Sequence, residues 1–337
     1  MKLVSYRSNE HEHLGFVHRS HIYNLHSLCK AVPDDMLSLL DGGESMMELA
    51  RRTMLDFVEC KAEGKEEIFY EVIAPLPNPA SFRDAYAFRQ HVMTSRRNRG
   101  AAMIPEFNEF PVFYFGNHRS ITGPGDILCM PDHLRQLDFE LEAAIVIGQA
   151  GRNIRASEAD DYIAGFTILN DLSARTFQRE EMALNLGPAK GKDFASVTGP
   201  WLVTPDELSP FLVDPKPGHQ GKAYDLPMRC WVNRKLVSEG NLKDMEWTFA
   251  EIIERASYGV DLYPGDIIGS GTVGTGCFLE LNGSAKLADP EYKEVWLHEG
   301  DLVEMEIRAM GHLTNTIRQA SDNWSILAEK KLAVQAS

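Results

Sequence analysis

The segment LDFELEAAIVIG, residues 137–148, carries the strongest pattern in the chain. Leu137, Phe139 and Leu141 alternate with Asp138, Glu140 and Glu142, and the run then turns wholly apolar. Alternation of period two is the mark of a strand, in which residues i and i+2 share a face at about 6.6 Å. Three carboxylates on one face admit two readings. In one, the strand is half solvated and its outer face is acidic. In the other, Glu140 and Glu142 share a divalent cation, which removes their mutual repulsion. The apolar continuation AAIVIG argues that this end is buried, and an outer face ordinarily mixes in Lys or Thr.

Working outward, the same strand chemistry recurs. Gly-Asp turns feed short β-branched runs in GPGDILCM (from 123), YPGDIIGS (from 263) and HEGDLVEMEI (from 298). RCWVNRKLVSEG predicts a hairpin turning at Asn233 and Arg234. Helices are expected chiefly at SARTFQREEMAL and EWTFAEIIERASYG. The first 75 residues read as a separate small α+β module. KLVSY predicts a strand, GFVHRSHIYNL a hairpin, and PDDMLSLL and ESMMELARRTMLDFVECKAEG two helices. The proline-rich APLPNPAS then marks a boundary. The expected organisation is a small N-terminal domain over 1–75 and a large β-rich domain over 76–337.

Composition narrows the function. Forty-nine Asp and Glu against 34 Lys and Arg give a net charge of −15, which argues against a general nucleic-acid binder. Five cysteines, widely spaced and without a C-x-x-C pair, suggest reduced thiols in a cytoplasmic protein rather than a disulfide framework or zinc site. No secretory signal is read in the N-terminal residues, and apolar runs such as AAIVIG are too short to span a bilayer.

Four further stretches hold groups able to do chemistry. SFRDAYAFRQHVMTSRRNRG (81–100) places Asp84, Tyr86 and His91 ahead of Arg96, Arg97 and Arg99. FTILNDLSARTFQREEM (166–182) reads as a buried strand, after which Asp171 or Ser173 can cap the following helix, and capping is the expected role of Asp171 taken by itself. On that helix Arg175 and Gln178 share a face. LGPAKGKDF supplies Lys190 and Lys192, and GSGTVGTGCFLELNG (269–283) supplies Thr272 and then Glu280, expected in a strand. The glycines lack a following G-K-[ST] and form no G-x-G-x-x-G, so neither a P-loop nor a dinucleotide fingerprint is present. The N-terminal histidines His11, His13, His18, His21 and His26 lack H-E-x-x-H spacing.

Taken in order, FRDAYAFRQH, PVFYFG, LDFELE, LNDLSARTFQ, LGPAKGKDF and YPGDIIGSGTVG with CFLEL resemble the fumarylacetoacetate hydrolase family, its fumarylacetoacetase branch most closely. The resemblance implies a mainly β (α+β) fold, with mixed sheets in a roll or barrel-like core and a small N-terminal α+β domain. It implies a metal site of Asp84, Glu140, Glu142 and Asp171. An all-oxygen set of this kind suits Mg²⁺ or Ca²⁺, with Mn²⁺ a further candidate. It assigns His91 as general base oriented by Glu280, and Gln178 and Lys192 as oxyanion stabilisers. Tyr86, Tyr114, Arg175 and Thr272 become substrate contacts. The implied reaction is hydrolysis of a carbon–carbon bond in a small diketo acid such as fumarylacetoacetate, by a homodimer. Alternatives on the same fold are acylpyruvate hydrolysis, oxaloacetate decarboxylation, and hydration or isomerisation in aromatic catabolism. An alternative of another class is a non-catalytic metal- or metabolite-binding relative. Three departures from the pattern of that branch bear on substrate more than on fold. Phe115 stands where close fumarylacetoacetases carry histidine, Lys190 competes with Lys192 in a lengthened loop, and the N-terminal module is shorter than that of the animal enzymes and unlike their SH3-like domain. Thr94 stands where the alternative branches carry a glutamate, which with Glu280 present favours the hydrolase arrangement.

Overall fold

The computed structural model describes residues 1–59 and 70–329. The chain opens with a meander of β1 (Lys2–Ser8), β2 (His11–His18) and β3 (His21–Asn24). Its two tight turns hold Asn9, Glu10, Arg19 and Ser20 at φ of 50°, 66°, 50° and 69°, the left-handed geometry that matches the twist of two-residue hairpins. Helices α1 (Met36–Asp41) and α2 (Gly43–Val58) follow, and Asp35 caps α1 by accepting from the Ser38 amide at 2.8 Å. The second helix was expected to reach Gly64, and residues 60–64 of that expectation lie outside the described residues.

The body then runs through β4 (Phe82–Ala85), α3 (Arg89–Arg97), β5 (Phe113–Phe115) and β6 (Gly125–Cys129). Next come β7 (Leu141–Ile147), β8 (Ile163–Asp171), α4 (Arg175–Ala183) and β9 (Ser196–Val203). After these lie β10 (Pro227–Val232), β11 (Lys235–Asn241), α5 (Phe249–Ser257) and β12 (Ile267–Gly269). The chain finishes with α6 (Phe278–Ala288), β13 (Leu302–Ile307) and β14 (Gly311–Gln319). The turn of the β10–β11 hairpin is at Asn233 and Arg234, both with positive φ, as the sequence predicts.

The main sheet has the order β3-β2-β1-β9-β8-β7-β12-β4-β5, and a second sheet has the order β11-β10-β13-β14-β6. Most pairs are antiparallel, while β12 with β4 and β14 with β6 are parallel. Mixed sheets therefore dominate, in an open roll whose main sheet ends at β3 and β5 rather than closing as a barrel. The N-terminal meander extends this sheet directly, because β1 pairs with β9 through Lys2↔Val203 and Leu3↔Leu202.

Strand β7 shows why the roll has two cores. Every residue of it is buried. Leu141, Ala143, Ile145 and Ile147 face the larger core with Phe139, Phe166 and Phe249. Ala144 and Val146 face a second core with Leu3, Leu14, Phe16 and Leu39 of the N-terminal segment. A central strand covered on both sides reads as an apolar run, as AAIVIG does. By the strand period, Glu142 lies on the Ala144/Val146 face.

Two expectations change. LDFELEAAIVIG is not one strand: Leu137–Asp138 pairs with Ser173–Ala174, and the ladder resumes only at Leu141. At the break, the Glu140 amide donates to Asn170 Oδ1 at 3.1 Å. CFLELN is helical, not a strand, so Glu280 lies in the first turn of α6. The FLEL alternation imitates a strand, but Asp138, far away in sequence, accepts from the Phe278 and Leu279 amides at 2.7 and 2.9 Å and caps a helix start there.

Candidate active site

Asp84 of β4, Glu142 of β7, Asp171 of β8 and Glu140, in the break just before β7, meet in the interior. Oxygens of Asp84, Glu140, Glu142 and Asp171 all lie within 4.8 Å of one another. Asp84 is 3% exposed, Glu140 5%, and Glu142 and Asp171 0%, so the solvated acidic face is ruled out. Local geometry makes this packing feasible. Gly269 of β12 sits opposite Asp84, and a Cβ there would lie 2.3 Å from Asp84 Oδ1. Gly271, at φ 79°, donates its amide to the same oxygen at 3.1 Å.

Positive charge meets only part of this cluster. Lys192 Nζ donates to Glu140 Oε2 at 2.5 Å and to Asp171 Oδ2. Arg175 Nη2 donates to Glu140 Oε1 at 2.7 Å. Burial opposes the Glu140 charge, but Lys192, Arg175 and His91 outweigh it and hold the carboxyl below the usual range. The other side is poorer. Burial and the charge of Asp171 push Asp84 up to about 7. Burial, then the charges of Asp84 and Glu140, holds Glu142 well above the usual carboxylate value. Glu142 Oε1 accepts a long 3.3 Å bond from Thr272, its carboxyl lies against that of Asp84, and its buried Oε2 meets no donor among the described residues. A buried oxygen without a donor, inside a hard all-oxygen set, fits a divalent cation.

Beside the cluster, His91 of α3 and Glu280 of α6 form a dyad. His91 Nδ1 lies 2.7 Å from Glu280 Oε2, with the two side chains 7% and 3% exposed. The helices are fastened by Asn98 Nδ2, which donates to the Glu280 carbonyl at 2.9 Å. Tyr86 packs edge-on to the His91 ring at 5.8 Å, and burial pushes its phenol up to about 12, so it stays a hydrogen-bond donor. Tyr114 donates to Asp171 Oδ2 at 2.5 Å.

The region from Asp84 to Glu280 thus unites carboxylates, a histidine–glutamate dyad and a buried lysine, all on one roll. Residues 80–318 match the family described as fumarylacetoacetate (FAA) hydrolase C-terminal. The chain belongs to the fumarylacetoacetate hydrolase family. A human mitochondrial oxaloacetate tautomerase is 28% identical over 322 residues, covering 94% of this chain and 91% of that one. A solved fumarylacetoacetate hydrolase from Exiguobacterium antarcticum superposes with a TM-score of 0.70 at 25% identity, over 95% of this chain and all of that one. A maleylpyruvate hydrolase from Sphingobium sp., solved with manganese(II) and pyruvate, shares the fold with a TM-score of 0.67 at 22% identity, over 95% and 100% of the chains. Relatives in the fumarylacetoacetate hydrolase family are hydrolases, isomerases and tautomerases.

Within this family frame, all twelve expected residues lie in or against one region, but several are held differently from the expectation. Asp171 does not cap α4. The N-cap is Ala174, without a side-chain bond, because the Asp171 carboxylate is already engaged by Lys192, Tyr114 and Ser196. Lys190 is 57% exposed and pairs with Asp193, so Lys192 is the lysine of the site. Arg175 is 1% exposed, and three of its donors are spent within the protein, on Asp138, Glu140 and Gln178. Gln178 uses its oxygen on Arg175, which leaves its amide NH₂ to donate. Asp138 is separated from the other two acids of its segment: it holds Arg175 Nε at 2.8 Å and caps α6. Its part went unread, because alternation alone grouped it with Glu140 and Glu142. Asn170, Ser196 and Gly269 were also missed, since their contacts arise only from strand pairing.

Proposed function

We propose that this protein is a metal-assisted hydrolase that cleaves a carbon–carbon bond in a small β-diketo acid such as fumarylacetoacetate, giving fumarate and acetoacetate. The His91–Glu280 pair, buried beside the carboxylate cluster, carries the reading. A carboxylate 2.7 Å from Nδ1 favours the tautomer with its proton there, so Nε2 is free to accept one. His91 takes a proton from water as the water adds to a substrate carbonyl, and Glu280 stabilises the imidazolium. The Gln178 amide and Lys192 supply donors for the tetrahedral oxyanion. After the carbon–carbon bond breaks, the electron pair stays on the departing fragment, which takes up the proton that His91 removed from water and so returns the histidine to its neutral form. Asp84, Glu140, Glu142 and Asp171 would hold Mg²⁺ or Ca²⁺, with Mn²⁺ a further candidate, and the ion would supply Lewis-acid polarisation of the carbonyl oxygens. Tyr86 and Thr272 are suited to orient the substrate.

A second reading rests on the relative that spans 94% of the chain, an oxaloacetate tautomerase. The same base would then move a proton at a carbon next to a carbonyl without adding water. A turnover assay over fumarylacetoacetate, acetylpyruvate and oxaloacetate, each with Mg²⁺, Mn²⁺, Ca²⁺ or EDTA, separates the two. EDTA-sensitive release of fumarate and acetoacetate supports the hydrolase. Oxaloacetate enolisation without cleavage of any diketone replaces it with the tautomerase. In either case His91→Gln should lower turnover by about 10²–10⁴.

A further inference from the structure

The dyad has a third neighbour that neither reading uses. Cys277 Sγ lies with nitrogen and oxygen atoms of His91 and Glu280 in a group whose members are all within 4.8 Å of one another. The three residues are 6%, 0% and 3% exposed. The position of the thiol is built rather than incidental. Cys277 is the N-cap residue of α6 in extended backbone, directly before the helix turn that carries Glu280, and Asp138 holds that helix start by accepting from the Phe278 and Leu279 amides. Thiol, imidazole and carboxylate are the donor types of a tetrahedral zinc site that keeps one position open. They contrast with the all-oxygen cluster beside them, which selects hard cations.

We propose that His91, Cys277 and Glu280 form a second metal site, selective for thiophilic dications such as Zn²⁺ and Cd²⁺, and that its occupation shuts the enzyme down by drawing His91 and Glu280 out of the pairing that makes the histidine a base. The binding part stands on the cluster alone, and the inhibition part rests on His91 being the base. Two adjoining sites of opposite softness let Mg²⁺ and Zn²⁺ act on the same protein without competing for the same ligands. Binding must break the 2.7 Å His91–Glu280 bond or bridge it, so an inhibited enzyme should hold both residues on the ion.

The test uses the full-length protein saturated with Mg²⁺ and titrated with Cd²⁺. The expected result is a thiolate-to-cadmium absorption in the ultraviolet, one site per chain, together with loss of turnover that a thiol chelator reverses. Cys277→Ser is nearly isosteric and leaves the α6 start capped by Asp138, so it should fold and retain basal activity. It should lose the absorption and raise the Cd²⁺ concentration for half-inhibition by at least about ten-fold. Zn²⁺ should displace Cd²⁺ and inhibit in its place. An absorption that is missing in the native protein, or equally strong in Cys277→Ser, overturns the proposal. The absorption needs no substrate, so it decides the site even if the assigned reaction proves wrong. Loss of the absorption in Cys277→Ser, with full activity in Cd²⁺-saturated native enzyme, would uphold the site and overturn its inhibitory role.

Discussion

Asp138 and Glu142 are four residues apart and both fully buried, yet they meet opposite surroundings. Asp138 accepts from Arg175 and from two amides at the start of α6, all at 2.7–2.9 Å. Glu142 has one long bond from Thr272, the Asp84 carboxyl beside it, and an oxygen with no donor among the described residues. A buried charge is costly unless paired and hydrogen-bonded. Asp138 is therefore completed by the fold and acts as scaffold, tying Arg175 to the helix that carries Glu280. Glu142 is left incomplete by the fold, which is what a ligand-binding acid looks like before its ligand arrives.

The largest expected effect comes from breaking the completed side. Asp138→Ala leaves Arg175 facing Glu140 with one partner gone and uncaps α6. Chemical denaturation should show a loss of about 3–5 kcal/mol, and added Mg²⁺ should not restore it. A loss below about 1 kcal/mol would show that the network is dispensable.

The incomplete side is sharpened by pH. The folded-state carboxyl of Asp84 is raised from 3.8 to about 7. The folded protein therefore holds this proton more tightly than the unfolded chain does. The resulting stability is fully present below about pH 4 and is lost as pH rises through 7. In EDTA, Asp84→Asn should gain on the native protein across that window, by on the order of 2–4 kcal/mol. Thermal melts at pH 4 and pH 8 would check this, and an equal difference at both would remove the shift.

Glu142→Gln should be smaller. Removing a buried carboxyl crowded by Asp84 and Glu140 and short of donors should raise stability in EDTA by about 1–2 kcal/mol. The same change should abolish the rise in melting temperature on adding Mg²⁺. Retention of that rise would take Glu142 out of the metal site. The smallest effect belongs to the lysine outside the cluster. Lys190→Ala breaks an exposed pair and should cost less than about 1 kcal/mol, with turnover unchanged. Comparable losses of turnover for Lys190→Ala and Lys192→Ala would contradict the distinction between them.

How much of this was legible beforehand differs residue by residue. The Gly-Asp turns and the Asn233–Arg234 hairpin were readable because left-handed turn geometry is a local property of a few residues. The separation of Asp138 from Glu140 was not, since the break between them is held by Asn170 and by pairing with Ser173–Ala174. Nor was the helical state of CFLELN, whose cap is supplied by an acid about 140 residues away.

The sequence by itself determined the mixed-sheet family fold and put forward the acids, the histidine and two candidate lysines, because ordered motifs and strand periodicity are written in neighbouring residues. Only the tertiary structure decided which acids are satisfied and which stand open. It alone chose Lys192 over Lys190, and it alone brought Cys277 to the dyad. Those outcomes depend on distances between segments far apart in the chain and on the exclusion of water, and neither quantity exists until the roll has closed around them.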